Sequence, residues 1–167
     1  MLQLLLKILT IKYHIMGLNI SHNAFDGAYS AFMRYRQKLA EVMGLPPLDL
    51  MDGFYSTETN NPLVLLNYRY PNGDELDMAH LRRIFKSMPI RWESLKPNPL
   101  HELLYHSDCD GHINWRKCGK MADELEKLLP MLNEDYGGHL GNLKETTEKF
   151  IKGLRLAYSN KEKLIFR

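Results

Sequence analysis

The sequence predicts a mainly α protein, a compact single-domain helical bundle with one or two short strands. Apolar residues recur at helical spacing over residues 24–43, 115–132 and 140–158. Gly and Pro residues separate these runs and mark where the helices end. A chain of 167 residues can bury a substantial core within one domain. We therefore treat residues 17–167 as a single helical domain and residues 1–16 as an N-terminal extension.

The extension is apolar, but it carries Lys7 and Lys12. It is too short and too charged to span a bilayer, and its basic residues are misplaced for a signal peptide, so we expect no membrane association. Two interpretations stay open: an upstream addition before a start at Met16, or a strand or helix that packs on the core. Homo-oligomerisation through this apolar segment is a further option.

The first long helix is predicted over residues 24–43. Ser21 or Asn23 can cap its start, and Gly44 with the prolines that follow ends it. Residues 48–61 break the periodic pattern and predict an irregular connection.

The later elements are predicted from the same kinds of signal. Alternating apolar residues predict a strand over 63–70, and Asp77 can cap a short helix that reaches Met88. Asn98 can cap a second short helix that ends at Tyr105. The remaining predicted elements are an acidic loop, a helix over 115–132, a last helix over 140–158, and a short tail or edge strand over 163–167.

Charge and cysteine content limit the partners and the compartment. Lys and Arg number 22 against 20 Asp and Glu, for a formal net charge of +2. This even balance gives no field strong enough to favour extended nucleic acid or a membrane surface as a partner. Cys109 and Cys118 are the only cysteines, too few for a secreted disulfide scaffold, and they predict a reducing, cytoplasmic environment.

The stretch richest in potential ligand-binding side chains is the acidic loop, residues 106–113, with the sequence His-Ser-Asp-Cys-Asp-Gly-His-Ile. Its carboxylates and imidazoles surround a glycine that favours a turn. The candidate metal ligands are His106, Asp108, Asp110 and His112. Such mixed nitrogen and oxygen ligands suit zinc or manganese better than calcium, and all three are candidate cations.

Two metal-binding resemblances involve this loop. Residues 106–117 resemble the calcium loop of an EF-hand, because Asp108, Asp110 and the Gly-x-Ile that follows match its pattern. His106 and Lys117 stand where that loop has its first carboxylate and its closing glutamate. The string His-x-Asp-x-Asp-Gly is also similar to the first metal motif of DHH-type phosphoesterases, which implies metal-dependent phosphodiester hydrolysis. If no metal binds, the loop is a structural turn whose carboxylates cap the next helix.

A third interpretation needs no metal. His22, Asp26 and Tyr29 fall on the first turns of the predicted opening helix. Arg91 and Trp92 are adjacent in a linker between prolines, and these residue types stack on and pair with planar anionic ligands. With the acidic loop as one wall, these five residues are the predicted ligand-binding set.

Three strings carry a wider resemblance: Ser-His-Asn-Ala-Phe-Asp-Gly-Ala-Tyr-Ser from residue 21, Pro-Ile-Arg-Trp-Glu-Ser-Leu from residue 89, and His-Ser-Asp-Cys-Asp-Gly from residue 106. They are similar to strings in a family of small, uncharacterised accessory proteins encoded by bacteriophages and prophages. The resemblance implies a protein of the host-cell cytoplasm that binds a host protein or a nucleotide-like ligand and so counters host defence. We predict such a binding protein in preference to an enzyme. The alternatives are a metal-dependent phosphodiester hydrolase and an EF-hand-like cation-binding protein.

Overall fold

The computed structural model describes residues 17–54 and 89–167. The N-terminal extension, the strand predicted over 63–70 and the short helix predicted between Asp77 and Met88 lie outside the described residues.

The described chain begins with a hairpin where a helix was predicted. β1 (Leu18–Ile20) pairs antiparallel with β2 (Phe25–Gly27), so the prediction of helix from residue 24 is wrong for its first residues. His22 and Asn23 have φ values of 59° and 54°, and the amide of Ala24 donates to the Ser21 carbonyl at 3.2 Å. Two positive φ values in succession make the tight turn that suits the twist of a hairpin.

The first helix is α1 (Tyr29–Val42), five residues shorter at its start than predicted. Its first-turn amides have no side-chain cap, because the flanking residue is Ala28. Phe32, Tyr35 and Leu39 recur on its buried face and supply much of the core. Gly44, with φ +68°, lies just beyond the helix end, as predicted.

Two separate segments of chain lie side by side after α1. Residues 48–54 begin with a 3-10 turn (Leu48–Leu50), and Met51 then bridges Ile90 in parallel orientation. The amide of Asp52 donates to the Ile90 carbonyl, and the amide of Ile90 donates to the Leu50 carbonyl, each at 2.8 Å. The Trp92 indole adds a hydrogen bond of 2.9 Å to the Asp52 carbonyl. A second 3-10 turn (Trp92–Ser94) follows.

The middle of the domain holds two helices with a short strand between them. α2 (His101–Tyr105) ends at Tyr105 as predicted, but the residue that flanks its start is Leu100, which provides no side-chain cap. Asn98 lies one turn earlier, where its Oδ1 accepts the Leu100 amide at 2.8 Å. β3 (His112–Ile113) follows the acidic loop, and α3 (Trp115–Leu128) follows β3. The helix predicted over 115–132 continues only as a 3-10 turn (Leu129–Met131), because Pro130 has no amide to donate.

The last helix and the last strand close the fold. α4 (Leu143–Asn160) begins after Asn142, whose side chain accepts the Glu145 amide at 3.1 Å. β4 (Leu164–Ile165) pairs antiparallel with β3, so the predicted tail or edge strand is a strand. Phe166 bridges Ile20 of β1, which ties the two small sheets together.

One core joins these elements. Gly153 of α4 lies so close to Ala24 that a Cβ at residue 153 would be 2.5 Å from the Ala24 Cβ. The fully buried side chains of the core include Leu18, Phe32, Leu104, Ile113, Leu125, Phe150 and Leu164. The mainly α class is confirmed, but the described residues form four short strands instead of one or two. The bundle arrangement stays a prediction. No helix within residues 17–54 and 89–167 is both long and apolar enough to cross a membrane.

Candidate functional site

A buried cation fixes the start of the acidic loop. The Arg36 side chain of α1 is 2% exposed, and its Nη1 donates to the His106 carbonyl at 2.6 Å. Its Nη2 lies 3.5 Å from Asp108 Oδ2. The guanidinium also lies over the rings of Phe32 and Phe54, at 4.6 and 5.2 Å from their centroids. Burial lowers the pKa of Arg36, and the charge of Asp108 opposes that shift. Asp108 therefore acts as the counter-ion of a buried guanidinium.

The other predicted metal ligands point to different surroundings. The His106 ring stacks on Phe166 at a centroid distance of 3.9 Å, and its Nδ1 donates to the Ser107 carbonyl at 2.7 Å. His112 is an exposed strand residue. Asp110 is exposed and makes no hydrogen bond or ion pair with the part of the chain that the structure describes.

These residues do not fit a divalent cation as they stand. Among the described residues, no three or more His, Cys, Asp or Glu side chains are placed to hold a metal ion. Asp108 already faces a cation, and the Lys117 ammonium donates to Glu102 Oε2 at 2.6 Å where an EF-hand loop would present a carboxylate. The capping interpretation is also wrong in its detail, because Asn114 caps α3 by accepting the Arg116 amide at 3.0 Å. The acidic loop is a turn that Arg36 holds through the His106 carbonyl and Asp108.

The five residues of the predicted ligand-binding set do not form one cluster. His22 belongs to a chain of hydrogen bonds in which the Ile165 amide donates to Ser21 Oγ, and Ser21 Oγ lies 2.9 Å from His22 Nδ1. His22 Nε2 lies 2.8 Å from Glu162 Oε2. This chain ties the first hairpin to the end of the domain, so the imidazole is occupied by structural partners.

Asp26 and Tyr29 do not join His22 on a helical face. Asp26 is exposed on β2 opposite Asn19, and Tyr29 begins α1 and packs partly on the core. The helical spacing that grouped these residues in the sequence is absent, because residues 25–27 are a strand.

Trp92 lies in a different cluster, with aromatic residues of α2. Its ring centroid is 5.4 Å from that of His101 and 5.5 Å from that of Tyr105, and the latter pair meets edge to face. Arg91 beside it is exposed. The Tyr105 side chain remains 48% exposed, so its ring is held on one side and open on the other.

A groove of about 310 Å³ lies between α2 and the first turns of α3. Its volume is at the lower end of the range for small-molecule sites, roughly 300–1,000 Å³. One side is built from α2 and the residues before it, and the other from α3. The lining residues are Asn98, Pro99, His101, Glu102, Tyr105, Arg116, Lys117 and Lys120. We call this cavity the basic groove.

The charge of the basic groove is positive. Lys117 pairs with Glu102, which leaves Arg116 and Lys120 as the uncompensated cations. The Arg116 guanidinium lies 4.6 Å from the ring centroid of Trp115, and Lys120 makes no ion pair within residues 17–54 and 89–167. The positive end of the α3 dipole lies at the same place. The basic groove is therefore suited to an anion, and each tryptophan of the chain packs against one of its lining residues.

A second cavity of about 380 Å³ shares two residues, Asn98 and His101, with the basic groove. Its other lining residues are mostly apolar: Val42, Met43, Leu45, Lys96, Pro97 and Leu128. We call it the apolar cavity. The positively charged basic groove and the apolar cavity are therefore neighbours along residues 98–101.

His101 stands at the boundary between the two cavities. It is 9% exposed, and its Nε2 is buried with no hydrogen-bond partner among the residues that the structure describes. Burial lowers the pKa of His101, which favours the neutral imidazole. A neutral imidazole nitrogen is a donor or an acceptor according to the tautomer, so this atom can serve either kind of ligand group.

Sequence reasoning found Trp92 but missed Arg116 and Lys120, the cations that line the groove. They are four residues apart in the first two turns of α3, after the helix cap Asn114, which places them on one side of the helix near its positive end. That spacing was a usable signal. The chain matches none of the protein-family models, curated proteins or solved structures with which it was compared.

Proposed function

We propose that this protein binds a nucleotide-like anion in the basic groove. The observation that carries the proposal is the combination of an exposed Tyr105 ring, packed against Trp92, with the cations Arg116 and Lys120 in one cavity. Phosphate groups need cations and donors, and a base needs an aromatic surface. The groove offers both within one ligand-sized space.

The chemistry assigns a role to each side of the groove. Arg116 presents a planar fork of donors that suits phosphate oxygens, and Lys120 adds a mobile point charge. Tyr105 offers a ring face on which a base can stack, a contact worth roughly 1–3 kcal/mol per base. Trp92 packs against the Tyr105 ring and restricts its motion, so less side-chain entropy is lost on binding.

The resemblance to phage accessory proteins supports a role as a sequestering protein. In this proposal the protein binds a nucleotide-like molecule in the host cytoplasm and thereby counters a host defence that depends on it. Binding alone suffices for that role, and the groove needs no metal. A metal-dependent hydrolase is not proposed, because Asp108 pairs with Arg36 and the His106 ring stacks on Phe166.

Calorimetric titration with ATP and with inorganic triphosphate tests the proposal. We expect both to bind, and ATP more tightly, because only ATP has a base to stack on Tyr105. Tyr105→Ala should weaken ATP while leaving triphosphate unchanged. Lys120→Ala should weaken both by about tenfold, the equivalent of roughly 1.4 kcal/mol for one lost charge-assisted contact.

Lys144→Ala is the matched control, because Lys144 is an exposed lysine on α4 that does not line the basic groove. Its affinity should equal that of the wild type. The proposal fails if neither ligand binds at millimolar concentration, or if Lys144→Ala weakens binding as much as Lys120→Ala, which would indicate attraction by overall charge alone.

A further inference from the structure

The basic groove adjoins a second cavity. Asn98 and His101 belong to its wall and also to the wall of the apolar cavity. A ligand that fills only the basic groove leaves the neighbouring cavity, of about 380 Å³, unused. We propose that the preferred ligand is a dinucleotide, whose second ring occupies the apolar cavity. This inference rests on the function proposed above.

The apolar cavity has the surface that a second base needs. Val42, Leu45 and Leu128 supply aliphatic contact, and each is only partly buried, so they still have surface to offer. Burying such surface under a ring is favourable, at about 25 cal/mol per Å². Lys96 is exposed and also lines this cavity, where its ammonium complements the negative charge of the ligand's bridging phosphates.

His101, which lines both cavities, has a ring nitrogen without a hydrogen-bond partner among the described residues. A buried nitrogen without a partner costs roughly 1–3 kcal/mol, and a ligand group that hydrogen-bonds to it recovers that cost. Because His101 lines both cavities, a ligand that crosses from one to the other passes this residue. His101 is thus the residue at which a ligand that spans both cavities differs from one confined to the basic groove.

The first test compares two ligands on the wild-type protein. ADP and diadenosine diphosphate share one nucleoside and both phosphates, and only the second has another nucleoside. Diadenosine diphosphate carries less negative charge than ADP, so charge alone would make it the weaker ligand. We expect it to bind about tenfold more tightly, as one additional stacked ring allows.

Variants then locate the second ring. Leu45→Trp fills the apolar cavity and should reduce the dinucleotide affinity to that of ADP while leaving ADP itself unchanged. Val42→Phe is a smaller filling substitution that serves if Leu45→Trp does not fold. Leu156→Trp is the control, because Leu156 is 46% exposed on α4 and lines neither cavity.

His101→Phe keeps a ring beside Trp92 but removes the nitrogen, and should abolish most of the dinucleotide advantage. Equal affinity for ADP and diadenosine diphosphate in the wild type would overturn this inference and leave the proposed function standing. A dinucleotide advantage that survives both filling substitutions would also overturn it. Failure of every nucleotide to bind would overturn the inference and the proposed function together.

Discussion

Replacing Asp108 by Asn separates a structural acidic loop from a metal-binding one. The substitution keeps the size of the side chain and one acceptor oxygen, replaces the other oxygen by an amide NH2, and removes the charge. In the structure that charge neutralises the buried guanidinium of Arg36. We therefore expect Asp108→Asn to destabilise the fold, whether or not any cation is present in solution.

The geometry sets the size of the effect. Opposite charges 3.5 Å apart attract by about 5 kcal/mol at an effective dielectric constant of about 20. Asp108 is 35% exposed, so solvent and salt screen much of that attraction. Arg36 also keeps its bond to the His106 carbonyl in the variant. We expect a loss of about 1–3 kcal/mol in the free energy of unfolding, between the values typical of exposed and of buried pairs.

Urea denaturation followed by far-UV circular dichroism measures this loss, with a chelator present throughout. The midpoint should fall while the slope with denaturant stays the same. Asp110→Asn is the matched control, because Asp110 is exposed in the same loop and makes no ion pair within the described residues. Its unfolding free energy should stay within about 0.5 kcal/mol of the wild type.

Equal stabilities of the two variants would refute the assignment of Asp108 as a counter-ion. So would a difference that appears only when manganese, zinc or calcium is added, because that pattern requires Asp108 to act on a bound cation. A higher free energy of unfolding for Asp108→Asn would show that the carboxylate destabilises the fold, which also contradicts the assignment.

Two further predictions concern packing and pH. Gly153→Ala should lower the melting temperature, because the new Cβ would lie 2.7 Å from the Ala24 Cα. The overpacking costs roughly 1–3 kcal/mol, which offsets the gain of about 1 kcal/mol in helix propensity. Gly119→Ala is the milder control, since its Cβ would meet the half-exposed ring of Tyr158, which can move; equal melting temperatures of the two variants would contradict the packing argument. The hydrogen bond from His22 lowers the pKa of Glu162, so the ionised carboxylate stabilises the fold above its unfolded-state pKa and ceases to do so as the pH falls through its lowered pKa. The melting temperatures of the wild type and of Glu162→Gln should therefore differ at neutral pH and converge as the pH is lowered. A difference that stays constant with pH would contradict the assigned role of the Glu162 carboxylate.

The long helices were predictable because their signals are local. α3 and α4 each repeat an apolar face over several turns, and no alternative pattern competes with that period. The first hairpin was missed because Phe25 falls in helical register with the residues of α1 that follow it. A turn of two non-glycine residues with positive φ, at His22 and Asn23, gives a weak sequence signal compared with Asn-Gly.

The candidate site was harder to predict because its parts are far apart in the sequence. In the sequence, Arg36 is typical of a charged residue on a solvated helix face. Only the fold shows that its guanidinium donates to the His106 carbonyl and pairs with Asp108. Trp92 was singled out by its residue type, but its neighbours on α2 depend on how two segments pack. A cavity is a property of that packing, so sequence periodicity could not place it.

The bridge between Met51 and Ile90 links the two described segments to the aromatic cluster beside the basic groove. Hydrogen bonds on both sides of that bridge hold the chain at residues 50–52 beside the chain at residue 90. Each segment supplies a partner for the other, so the loss of one hydrogen bond loosens both segments together. The Trp92 indole donates to the Asp52 carbonyl, and its ring packs on His101 and Tyr105. A substitution that disturbs residues 50–52 is therefore transmitted to the wall of the groove, although none of those residues lines it.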